Sequence, residues 1–83
     1  MKMSEQEYEK RQDLCRTFIA YKMLGEVTDP IQAARSLFAT WGIRVDWHDM
    51  SDALSYLSRH GTVWQTGKFY DGIAEYRVRT VLQ

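Results

Sequence analysis

Several of the residues that would announce a specialised scaffold are scarce in this chain. There is one cysteine, Cys15, in 83 residues, so no internal disulfide can form and a packed core has to hold the fold. The two histidines, His48 and His60, stand far from Cys15 and have no ligand spacing, so no zinc signature is present and no cofactor is expected. The five glycines never cluster into a phosphate-cradling loop, and there is no nucleophile elbow and no paired-carboxylate site. An enzyme is therefore not expected. Formal net charge is also absent, with 11 basic and 11 acidic residues. Residues 1–29 carry five basic and six acidic groups, residues 30–60 three of each, and residues 61–83 three basic and two acidic. No block is basic enough to hold nucleic acid by phosphate neutralisation alone, although a local patch is still allowed. No apolar run is long enough for a bilayer and no signal-peptide pattern opens the chain, so the expectation is a cytoplasmic protein with no membrane partner. Internal repeats, low-complexity tracts and linkers are missing too, and residues 1–83 read as one domain.

What is present is apolar and aromatic material: 45% hydrophobic residues and 13% aromatic ones. That suffices for a core without metal or disulfides. A chain this short is nonetheless only marginally stable alone, and a homodimer would help it. Cys15 falls among apolar residues and is expected to be a small core residue rather than a reactive thiol.

The chain is organised around Asp46 to Gly61. Met50, Leu54, Leu57 and His60 recur at helical spacing with Ala53 beside them. Asp46 is placed to cap this helix and Asp49 to occupy its first turn, where carboxylates offset unpaired N–H groups. Gly61 stops it. The period then changes to two: Thr62 to Tyr70 and Ile73 to Val81 read as strands joined by Asp71-Gly72, a strong type I′ hairpin signal. An unbroken ladder would set Lys68 opposite Glu75 and Trp64 opposite Arg79, with Val63, Phe69, Ala74, Tyr76 and Val78 on the buried face.

Upstream, residues 4–24 read as a first helix that Ser4 and Glu7 open at capping-box spacing and Gly25 ends. Its first part, residues 1–13, is a polar helical extension in which Tyr8 stands out. The extension is expected to be solvated, or to act as an arm that packs on a second subunit through Tyr8. From Leu14 on, Leu14, Cys15, Phe18, Ile19 and Tyr21 give an apolar face. Val27 could add a short third strand. Asp29-Pro30 then opens a second helix that Gly42 ends, with Ile31, Ala34, Leu37, Phe38 and Trp41 as its buried stripe. Ile43 and Val45 are expected to point inward from the link to the central helix.

The order helix, short strand, helix, turn, helix, hairpin resembles the winged helix-turn-helix superfamily over residues of about 14–81. Its most specific part is the run Met50, Leu54, Leu57, Gly61, Val63, which is similar to that superfamily's apolar pattern from recognition helix into wing. The resemblance implies an α+β fold of three helices and a C-terminal β-hairpin wing. It also implies a small transcriptional regulator bound to double-stranded DNA. Two features depart from it. The link from Gly42 to Met50 is about two residues longer than the usual tight turn. The helix positions that would face DNA are Asp49, Ser51, Asp52 and Ser55, two of them carboxylates that repel phosphate.

On this reading Trp47, His48, Ser51 and Ser55 would lie near bases, and Arg44, Arg59, Lys68, Arg77 and Arg79 would meet phosphates. The ordinary alternative for the wing is a solvated strand surface with cross-strand pairs, and for Asp46 and Asp49 a simple capping role. The competing functional expectation is a protein-interaction module, a phage- or plasmid-type modulator of a host protein that does not bind DNA. Exposed Tyr8, Trp47, Trp64 and Tyr70 would anchor its partner.

Overall fold

The computed structural model describes residues 4–79. Its elements run α1 (Glu5–Lys22), β1 (Val27–Thr28), α2 (Pro30–Trp41), α3 (Trp47–Arg59), β2 (Val63–Tyr70) and β3 (Ile73–Val78), an α+β order compatible with a winged helix-turn-helix layout. Local chemistry sets most of the boundaries. The Ser4 hydroxyl accepts from the Glu7 amide at 3.1 Å and opens α1. The Asp29 carboxylate accepts from the Ile31 and Gln32 amides, both at 2.9 Å, and Pro30 takes the first-turn position where a missing N–H is harmless. Gly42, left-handed at φ 70°, ends α2. Asp46 and Asp49 form a reciprocal capping box at the start of α3.

The sheet has the order β1-β3-β2 with antiparallel pairing throughout. The two-residue β1 sets Val27 opposite Arg77 and Thr28 opposite Tyr76. Asp71 and Gly72 have φ of 53° and 80°, the pair of positive values that a type I′ turn needs.

The hairpin is not the unbroken ladder expected from its alternation. Tyr70 faces Ile73 and Phe69 faces Ala74, but beyond a bulge Gln65 faces Tyr76, Trp64 faces Arg77 and Val63 faces Val78. Two extra residues on β2 are taken up around Gly67, at φ 92°. Glu75 therefore receives the Thr66 hydroxyl at 2.7 Å rather than standing in a simple pair with Lys68. A glycine inside a strand pattern is the usual site of such a bulge, because an L side chain resists that φ.

The core collects Cys15, Phe18 and Ile19 from α1, Met23 from its C-cap, Ala33 and Leu37 from α2, Met50, Ala53, Leu54 and Leu57 from α3, and Val63, Tyr76 and Val78 from the sheet. Ile43 and Val45 pack against it from the link, as expected. Three apolar expectations change. The stripe of α2 is Pro30, Ala33 and Leu37, while Ile31, Phe38 and Trp41 are exposed at its margin. Pro30, Ala33 and Leu37 face the core and the bulky aromatics are turned to the rim. There Trp41 meets Phe18 edge-on with ring centres 5.0 Å apart. Tyr21 is exposed. Phe69 shares the face of Ala74 yet is 59% exposed, standing beyond the bulge in a run, 68–72, that is exposed throughout. His60 is also exposed and caps α3 with its ring against Tyr56. Val81 lies outside the described residues.

Candidate functional site

On the solvent side of α3, successive helical turns present His48, Ser51, Ser55 and Arg59. His48 and Arg59 are exposed; Ser51 and Ser55 are half-buried. At the start of the helix the Trp47 and His48 rings stack with centres 3.9 Å apart, with the indole 40% exposed. Hydroxyls, an imidazole and a guanidinium thus line one outward strip.

The two carboxylates expected on this strip are otherwise engaged. Asp49 is buried. Its Oδ2 accepts from the Asp46 amide at 3.1 Å and from the Arg11 guanidinium at 3.3 Å, while its backbone carbonyl accepts from Gln12 Nε2 at 3.0 Å. Asp52 Oδ2 accepts from the Tyr8 hydroxyl at 2.9 Å. One turn further, the Arg16 guanidinium lies 3.7 Å from the centre of the Tyr56 ring. Tyr8, Arg11, Gln12 and Arg16 of α1 therefore form a polar seam with Asp49, Asp52 and Tyr56 of α3. Tyr8 is half-buried within this seam, so the polar first half of α1 is a bracing strut for α3 rather than a free solvated end. The helical spacing of Tyr8, Gln12 and Arg16, matched by Asp49, Asp52 and Tyr56, was the available sequence signal. It was hidden because polar residues at that period look like a solvated face.

Two titratable groups near the seam hold their protons tightly. The hydrogen bond to Asp52, aided by desolvation, raises the Tyr8 phenol above its ordinary range. Burial, aided by the Asp49 charge, pushes the Cys15 thiol up to about 11. Cys15 is fully buried and is a core residue, as expected.

The wing gathers a second group. The bulge makes Trp64 the direct partner of Arg77, and the Arg79 guanidinium lies 4.1 Å from the centre of the Trp64 ring, the contact expected from the sequence by a different register. Trp64 Nε1 donates to the Gly61 carbonyl at 3.3 Å, so the indole is fixed although 54% exposed. Trp64, Gln65, Thr66, Arg77 and Arg79 line an open cavity of about 290 Å³. Lys68 stands in the bulge, its amide donating to the Thr66 hydroxyl at 3.3 Å. Arg44 covers the Phe38 ring at 4.6 Å, and Tyr70 is exposed at the hairpin end.

Among the described residues, salt bridges join only Arg11 to Asp49 and Arg16 to Asp13. Arg44, Arg59, Lys68, Arg77 and Arg79 thus have no carboxylate partner there. No three His, Cys, Asp or Glu side chains among the described residues are grouped to hold a metal ion, and none of the helices is long and apolar enough to cross a membrane. Compared with known proteins, the chain matches no family model, no curated protein and no solved structure.

Proposed function

We propose that this chain is a small duplex-DNA-binding protein of transcriptional-regulator type that offers α3 to the major groove. The observation that supports this most is the engagement of Asp49 and Asp52 by α1. Those carboxylates were the main physical objection to placing α3 between rows of phosphates. With Asp49 ion-paired and buried, and the exposed Asp52 hydrogen-bonded by Tyr8, the groups of the outward strip without such a tie to α1 are His48, Ser51, Ser55 and Arg59. Serine hydroxyls can donate to or accept from base edges, and an arginine can bind guanine or phosphate. Arg44, Lys68, Arg77 and Arg79, all lacking carboxylate partners among the described residues, supply positive charge around the strip. Two copies would present two such helices to half-sites about one helical turn apart. A cytoplasmic setting goes with this reading.

A gel shift on mixed-sequence duplex at about 50 mM salt tests it, with binding expected to weaken steeply as salt rises. Ser55→Glu with Arg59→Gln should remove the shift and leave circular dichroism unchanged. Absence of any shift by the unaltered chain would overturn the proposal.

The second reading, a protein-interaction module, is favoured by the exposure of Phe69 and Tyr70 at the hairpin end, 59% and 54%. Large aromatics left in water are characteristic anchors of protein interfaces.

A further inference from the structure

The outer face of the sheet carries an exposed indole, Trp64, that the duplex reading does not use, beside two arginines that it uses only as general positive charge. Strand alternation puts Val63, Tyr76 and Val78 inward on the helices, which turns Trp64, Arg77 and Arg79 outward, with Val27 beside Arg77 on the third strand. Trp64 is held by its bond to Gly61 and by the Arg79 guanidinium, yet half of it remains open to solvent. The cavity beside it is lined by Gln65, Thr66 and Arg77 as well. Of the two carboxylates of the hairpin, Asp71 sits in the turn and Glu75 accepts from the Thr66 hydroxyl.

From this we infer that the Trp64–Arg77–Arg79 face binds an unpaired nucleotide of single-stranded nucleic acid, the base stacking on the Trp64 indole and the backbone phosphates held by Arg77 and Arg79. An aromatic ring fixed beside cations is the combination that sequence-tolerant strand binding uses, since every base has a stacking face and every linkage a negative charge. A paired base keeps its faces buried in the helix stack and cannot use such a platform. Charge complementarity also decides against the other occupants. A second copy docked here about a two-fold axis would bring Arg77 and Arg79 against the same residues of its mate with little acid to offset them. A peptide added at the free edge of β2 would meet the bulge at Thr66–Lys68, which interrupts strand pairing.

Fluorescence anisotropy of a labelled oligothymidylate with the full chain at about 50 mM salt tests the inference. The unaltered chain should bind it. Trp64→Leu should weaken binding about tenfold, and Trp64→Phe, which keeps a ring, should restore most of it. Arg77→Gln with Arg79→Gln should lower the salt slope by about 1.4, because each phosphate contact on a single strand contributes about 0.7. Ser55→Glu with Arg59→Gln should leave the oligothymidylate bound, and Trp64→Leu should leave duplex binding in place. Failure here and failure of the α3 reading are thereby distinguishable. The inference falls if the oligothymidylate does not bind, or if it binds equally well to Trp64→Leu. It also falls if a poly-glutamate peptide or anionic vesicles bind as tightly and with the same dependence on Trp64.

Discussion

Asp49 does three things at once: it closes the capping box of α3, takes the charge of Arg11, and offers its carbonyl to Gln12. Removing the carboxylate leaves the Asp46 amide and the guanidinium without their acceptor. Asp49→Ala should therefore lower stability by about 2 kcal/mol, read from urea unfolding, and Asp49→Asn by about half of that. Gln12 behaves differently. Its Nε2 is bonded, but its Oε1 is buried with no partner, so the side chain gains on one atom and loses on the other. Gln12→Leu, similar in volume, should change stability by less than about 1 kcal/mol; a loss of several would show that the amide is satisfied in solution. Tyr8 and Cys15 set the alkaline limit. Both retain their protons more tightly when folded, the phenol through Asp52 and the thiol, at about 11, through burial. Their contribution is fully present below the ordinary values of 9.0 for the thiol and 10.0 for the phenol, and is lost as pH climbs through the folded values. The urea midpoint should hold to about pH 9 and then fall towards pH 11. A fall complete by pH 8 would need another group.

At the scale of elements, the β2 bulge and the α1 strut are where structure and sequence part. Glycine at position 67 relieves a φ that an L side chain resists, and space around it is open. Gly67→Val should cost about 1–2 kcal/mol and lower the melting temperature by several degrees through backbone strain alone. An unchanged melting curve would mean that the bulge relaxes. The helix ends, the order of the elements, the short β1 and the Asp71-Gly72 turn were all legible, because each depends on a cap, a glycine or a proline acting over a few residues. The register was not. Two extra residues leave the in-and-out alternation intact, so the pattern of Val63, Tyr76 and Val78 looks the same with or without them. The inward side of α2 was only partly legible: Leu37 and Ala34 of the expected stripe do meet the core, but the apolar weight of Ile31, Phe38 and Trp41 at helical spacing hid the burial of Pro30 and Ala33. Of the candidate site, the residue types were readable, but the engagement of Asp49 and Asp52 depends on contacts some forty residues apart in the chain.

For the molecule as a whole, one core is shared by all three helices and the sheet. Unfolding should follow a single transition, with far-ultraviolet circular dichroism and tryptophan fluorescence giving the same urea midpoint. Trp41 and Trp64 report from different edges of the fold, so separate midpoints would reveal independent halves. Leu57→Ala, in the middle of that core, should remove about 3 kcal/mol, a large share of what a chain of this size commands. The bracing of α3 by α1 has a consequence for proteolysis. Trimming away the first dozen residues would strip Tyr8, Arg11 and Gln12 from the seam, leaving Asp49 without its cation and Asp52 without its donor beside the outward strip. A clipped molecule would then repel the polyanion that the intact one is proposed to grip, so that a protease acting at the amino end would switch the protein off.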